Sequence, residues 1–186
     1  ELVDRRYLRR ATKARRIVLL CDVSGSMDPY AREFLRFLHV AVTGRREVEA
    51  FAVGTRLTRL TRQLAGRDPD AAFRHATAAV ADWSGGTRLG QGLHQFNVSS
   101  GVRDLARGAT VVILSDGLDR GEPDVLSTEM ARLKRVAHRV IWVNPLKGSP
   151  GYAPLARGMA AALGYVDDFV DGHSVAALAD VLALIA

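Results

Sequence analysis

Short, wholly apolar runs alternate along this chain with longer stretches of helical period. Ile17-Val18-Leu19-Leu20-Cys21 and Val111-Val112-Ile113-Leu114 contain no polar residue, which predicts strands buried on both faces. The first strand is expected over about 17–23, and the second to end at Leu114. Between them, residues 29–42 place Phe34, Leu35, Leu38 and Val42 on one helical face, with Asp28 as N-cap before Pro29 and Gly44 as the stop. Residues 48–53 read as a strand and 56–60 as its short antiparallel partner, whose arginines suit an exposed edge. Asp68-Pro69 or Asp70 opens a helix with a stripe of Phe73, Ala76, Val80 and Trp83. A further helical stretch over about 89–105 carries Leu93, Phe96 and Leu105, with a break expected at 97–101. After Leu114, Glu122-Pro123 starts a helix with Leu126, Met130, Leu133 and Val136 or Ala137 facing the core. Strands are expected over 139–143 and 166–170, and Ser174 caps a last helix through Ala177, Leu178, Val181, Leu182 and Ile185. The alternation predicts an α/β fold, doubly wound, with a mostly parallel sheet of about six strands, helices on both faces and one antiparallel edge strand.

Both apolar runs end in polar turns, Asp22-Val23-Ser24-Gly25-Ser26 and Ser115-Asp116-Gly117. In an open α/β sheet ligands collect beyond the carboxyl ends of the strands, so these turns can meet in space, joined by Gly85-Gly86-Thr87. The Gly pair would let backbone come close to a bound ion. Together they offer Asp22, Ser24, Ser26, Thr87 and Asp116 as metal ligands. A hard cation takes about six oxygen ligands, and with no His or Cys in the set Mg²⁺, Mn²⁺ or Ca²⁺ is expected. Water or a partner must complete the shell.

Asp22-x-Ser24-x-Ser26, then Thr87, then Asp116 on separate loops resembles the metal-ion-dependent adhesion site (MIDAS) of von Willebrand factor A (VWA) domains, from about Arg16 to the C-terminus. Cys21 to Met27, Ser115-Asp116-Gly117, Ile141 to Pro145 and Gly158 to Leu163 are similar to the CoxE-like bacterial intracellular branch. The resemblance implies a Rossmann-like VWA fold. It also implies direct contact of Ser24, Ser26 and Thr87 with the ion, water-mediated roles for Asp22 and Asp116, and a partner's Asp or Glu at the open position. It implies further an adaptor working with a MoxR-type AAA+ ATPase in maturation of a carbon monoxide dehydrogenase or related molybdenum hydroxylase. No G-x-x-x-x-G-K-[ST] is present, so ATP hydrolysis would come from the partner.

At 186 residues the chain is long enough for one α/β domain, expected over 16–186, with 1–15 as a basic lead-in. It opens at Glu1 without a Met, so a longer parent is expected. The net charge of +6 invites a nucleic-acid reading, but residues 1–16 hold seven basic and two acidic side chains, leaving only +1 for the remainder. This segment reads as a solvated lead-in or linker. Binding of nucleic acid or anionic membrane through it is one alternative function, and aromatic interleaving there is limited to Tyr7. A metal-dependent hydrolase or phosphoryl-transfer enzyme is the other. Position 24 is Ser where an aspartyl nucleophile would read Asp-x-Asp, no His or Lys base is placed by sequence, and no G-x-S-x-G elbow is present, so a non-enzyme is expected.

No apolar run approaches the length of a transmembrane helix, and a cytoplasmic location is expected, with peripheral contact to an inner membrane left open. The single cysteine, Cys21, reads as a small buried residue in a reducing compartment. Met27 reads as packing, and Asp28 and Asp119 as caps or turns. Asn144 either lines the binding face or forms a turn with Pro145. The five histidines fall on separate elements without metal-ligand spacing.

Overall fold

Ile17–Asp22 (β1) is hydrogen-bonded to parallel strands on both sides and buried along its whole length, which is why it has no polar side chain before its last residue. The computed structural model describes residues 15–45, 47–81, 83 and 85–185. The expected basic lead-in lies outside these residues apart from Arg15, as does Ser84.

Val48–Val53 (β2) flanks β1 on one side and Thr110–Leu114 (β4) on the other. Leu57–Arg59 (β3) is the antiparallel partner of β2, Arg139–Asn144 (β5) follows β4, and Asp168–Asp171 (β6) closes the far edge. The order is β3-β2-β1-β4-β5-β6, with every pair except β2–β3 parallel. The chain leaves β1 toward one edge and β4 toward the other, so the gap beyond their carboxyl ends is the topological switch point where a crevice forms.

Successive strand residues feed opposite faces. Ile17, Leu19 and Cys21 pack with Phe34, Leu38 and Ala41 of Ala31–Gly44 (α1), Ala76 of Pro69–Ala79 (α3), and Leu178 and Val181 of Val175–Leu184 (α7). Val18 and Leu20 pack with Leu93 and Phe96 of Leu89–Val98 (α4), Met130 and Leu133 of Pro123–Val136 (α5), and Met159 of Arg157–Leu163 (α6). A one-turn helix, Thr61–Leu64 (α2), follows β3. The buried Glu129 carboxylate clasps α4 to α5, accepting from Asn97 Nδ2 at 2.8 Å and Arg132 at 2.9 Å and pairing with His94 Nδ1 at 2.9 Å.

Asp68 and Ser174 are N-caps as expected, accepting from Asp70 N and Ala177 N. The break after α4 comes at Ser99, and Gly101 lies at φ +86. Asp28 does not cap α1. It sits in a 3₁₀ turn, Gly25–Tyr30, with Pro29 inside it, and the carbonyl of Asp28 accepts from Ala31 N in the tighter i→i+3 pattern. β6 begins two residues later than its apolar pattern predicts, because Val166 N is still bonded to Leu163 O in the turn that follows α6, and Asp168 then pairs with Arg139 through bonds of 2.6 and 2.8 Å.

Candidate metal centre

Asp22 ends β1 and is 3% exposed, and its carboxylate ties three loops together. Oδ1 accepts from Ser24 N at 2.9 Å and from Thr87 Oγ1 at 2.7 Å, and Oδ2 accepts from Ser115 Oγ at 2.7 Å. Burial pushes the Asp22 carboxyl above the usual carboxylate range, and the hydrogen bonds from Ser115, Thr87 and Ser24 oppose that by favouring the anion.

Of the residues whose hydroxyls surround Asp22, Ser24 and Thr87 line a cleft and Ser115 is fully buried. Thr87 spends its only proton on Asp22, so its oxygen is an acceptor toward anything else. Ser24 Oγ lies 3.1 Å from the exposed Ser26 Oγ. Adjacent ligands of Mg²⁺, with metal–oxygen distances of roughly 2.1 Å, stand about 3 Å apart, so this spacing suits two neighbouring vertices of an octahedron. Ser24, Ser26 and Thr87 line one cleft of about 510 Å³ with Gly85, Gly86, Gly117 and the side chains of Leu118, Asp119, Arg120 and Arg157. Among the described residues no three His, Cys, Asp or Glu side chains form a metal cluster. The donor set is mainly hydroxyl, and such a set fits a hard cation that keeps much of its charge.

Asp116 is buried behind this cleft, and its Oδ1 accepts from Leu118 N at 2.9 Å. Its loop is braced from several directions. Ser115 Oγ also accepts from Gly117 N at 3.0 Å, Trp142 Nε1 donates to Ser115 O at 2.9 Å, and Asn144 Nδ2 donates to Asp116 O at 3.1 Å. Asn144 is fully buried beneath the loop and does not line the cleft; its Oδ1 also accepts from Leu146 N at 2.8 Å in the expected turn. Asp119 crosses from this loop to the start of α4, accepting from Leu89 N at 2.9 Å and Gly121 N at 3.0 Å, while Arg120 N donates to Thr87 O at 3.2 Å. The Thr87 and Asp116 loops are therefore one braced unit. Gly117, at φ +78, sits against α6, where an added Cβ would lie 2.8 Å from Met159 Cβ.

Sequence reasoning names Asp116 and passes over Ser115, whose hydroxyl completes the carboxylate of Asp22. The dipeptide Ser115-Asp116 after a buried strand is the only signal the sequence offers, and nothing in it tells which side chain turns inward. Met27 is core packing, 1% exposed. Cys21 is buried, and burial, then the charge of Asp22, pushes its thiol up. The histidines are dispersed, with His39 bonded to Gly66 O, His94 to Glu129 and His173 to Asp171.

The family model for VWA domain containing CoxE-like protein matches residues 1–178. Among similar solved structures, a von Willebrand factor type A protein from Catenulispora acidiphila is 18% identical at a TM-score of 0.61, the match covering 92% of this chain and 42% of that one. Proximal thread matrix protein 1 from the mussel byssus, in a structure with a zinc-occupied MIDAS motif, is 16% identical at a TM-score of 0.54, covering 92% and 46%. An aerotolerance-related membrane protein from Bacteroides fragilis is 14% identical at a TM-score of 0.56, covering 91% and 98%. The chain spans less than half the length of the first two, and at these identities the likeness shows the fold. No curated protein is significantly similar in sequence. Among the described residues no helix is long and apolar enough to cross a membrane. With the family match over most of its length and this sheet order, the chain belongs to the VWA domain containing CoxE-like proteins.

Proposed function

We propose that this chain is a divalent-cation-dependent protein-binding module. Ser24, Ser26 and Thr87 are the residues that would hold Mg²⁺, or Mn²⁺ or Ca²⁺, directly, and Asp22 and Asp116 would act through water. When bound, the cation supplies a positive charge for an Asp or Glu of a partner protein. The observation that carries the reading is the engagement of Asp22 by Ser24, Thr87 and Ser115, which fixes three loops around hydroxyl oxygens and directs this carboxylate's lone pairs to protein donors. Neutral ligands leave a cation more attractive to an incoming carboxylate than acidic ligands would.

In the CoxE-like family, the partner we propose is a MoxR-type AAA+ ATPase and the client a carbon monoxide dehydrogenase or related molybdenum hydroxylase, with this chain as cytoplasmic adaptor between them. The test is affinity capture from the source lysate in Mg²⁺ and in EDTA, with wild type and Ser26→Ala as baits and mass spectrometry as readout. An ATPase or oxidoreductase subunit retained only by wild type in Mg²⁺ supports an adaptor working through the ion. Equal retention in EDTA and by the variant rejects it.

A further inference from the structure

Two arginines wall the cleft above Ser24, Ser26 and Thr87. Arg120 is exposed, and an added Cβ on Gly86 would lie 3.0 Å from its Cδ and from one guanidinium nitrogen, so the side chain is laid across the Thr87 loop. Arg157, also exposed, is the first residue of α6. It is brought to the cleft by the close approach of Gly158 to the Gly117 carbonyl, 2.6 Å from an added Cβ. Neither guanidinium has a hydrogen-bond or ion-pair partner among the described residues. Of those residues Asp119 is the one carboxylate lining the cleft, and its oxygens are already taken up by the backbone N–H groups of Leu89, Gly90 and Gly121. These bonds aim Asp119 at the backbone and not at the arginines, so both guanidinium groups keep their donors open to an incoming carboxylate.

The rim is also apolar. Leu118, in the cleft wall, is 51% exposed, and Leu155, next to the lining residue Ala156, is 82% exposed. Arginine is enriched at protein-docking surfaces, and two exposed leucines on the rim add apolar area that a small free anion would not use.

We propose that the cleft takes a partner segment with at least two neighbouring acidic side chains, one directed to the hydroxyl floor and a second paired with Arg120 and Arg157. This rests on the metal-dependent reading above for the first carboxylate. The second is independent of it, because guanidinium groups recognise carboxylates through forked, charge-assisted hydrogen bonds without a metal.

Fluorescence anisotropy with labelled Gly/Ser peptides separates the two parts. One peptide carries a single Asp, and the other has Glu on both sides of that Asp. In MnCl₂ the triple-acid peptide is expected to bind wild type roughly tenfold more tightly, a difference of about 1.4 kcal/mol. The double variant Arg120→Gln with Arg157→Gln, which keeps much of each stem, should abolish that preference and leave single-Asp binding within about twofold. Arg62→Gln with Arg107→Gln, an equal change of net charge at exposed sites outside the cleft, should leave the preference intact. EDTA or Ser26→Ala should remove single-Asp binding. The arginine proposal is overturned if wild type shows no preference, if the preference survives in the cleft double variant, if the control variant loses it equally, or if neither peptide binds at millimolar concentration. An arginine-dependent preference that persists in EDTA together with unchanged single-Asp binding supports the proposal and rejects the metal reading alone.

Discussion

Ser115 has no exposed surface, and its hydroxyl serves two buried groups at once, donating to Asp22 and accepting from Gly117 N. Ser115→Ala leaves a carboxylate oxygen and a backbone N–H short of a partner, and each such loss costs about 1–3 kcal/mol. The expected result is a fall of roughly 2–3 kcal/mol in unfolding free energy by urea denaturation with an unchanged m-value. A loss under about 0.5 kcal/mol would mean that neither bond matters to the fold. Gly117 makes a second case at this scale. Both Gly101 and Gly117 have positive φ, but an added Cβ on Gly101 meets open space and one on Gly117 meets Met159. Gly101→Ala should cost about 1–2 kcal/mol, the cost of an L-residue in the left-handed region. Gly117→Ala should cost more, because Met159 and α6 must also move. Equal losses in the two would show that the α6 contact yields freely.

At the scale of elements, the strands buried on both faces were legible because continuous apolar runs have few alternatives at that length. Asp68 and Ser174 were legible as caps because a short polar side chain before an apolar period has one local use. The misses have equally local causes. Asp28-Pro29 imitates a helix start, and the competing i→i+3 turn reads identically in sequence. α6 is seven residues with Gly158 and three alanines, too short and too uniform to show a period. β6 carries Asp at both ends, and its placement depends on partners on α5 and β5, which no apolar pattern records.

Those partners make the β6 edge acid-sensitive. For Asp167, burial raises the carboxyl pKa, but the pairing with Lys134, the N–H of Val140 and the charges of Lys134 and Arg139 outweigh it and hold the group below its usual range. At Asp171 burial is likewise outweighed, by the N–H and ring of His173. A depressed folded pKa gives stability that is present above the unfolded value, near 3.9, and is lost as pH falls through the folded value. Unfolding free energy should therefore decline as the solution is taken below about pH 4, and Asp167→Asn with Asp171→Asn should flatten that decline. An unchanged slope in the double variant would place the acid-labile groups elsewhere.

For the molecule as a whole, the sheet order explains why a site made of distant segments was readable at all. β1 and β4 are neighbours at the switch point, so the turns carrying Asp22, Ser24, Ser26 and Asp116 must share one edge, whereas Thr87 follows no strand and is tied to that edge by its bond to Asp22. Which hydroxyl bonds which carboxylate was not readable, because Ser115, Asp119 and Asn144 act through tertiary contacts between loops. The same dispersal has a thermodynamic consequence. Ser24, Ser26 and Thr87 are held together only in the folded chain, so a cation bound by them binds the native state and not the unfolded one. It should stabilise by mass action, about 2.7 kcal/mol at a hundredfold excess over Kd. The melting temperature is thus expected to rise with MgCl₂ or MnCl₂ and not with NaCl at matched ionic strength. CaCl₂ is the third ion to compare, because the six to eight oxygens it takes at roughly 2.3–2.6 Å can also stand as close as the 3.1 Å between Ser24 and Ser26. Ser26 is exposed and among the described residues its hydroxyl is bonded to Ser24 alone, so Ser26→Ala should melt like wild type in EDTA and lose the response to Mg²⁺. A melting temperature that stays constant across all three ions up to millimolar concentration would remove the metal from this cleft, and the serine and threonine hydroxyls would then be left as loop-bracing groups.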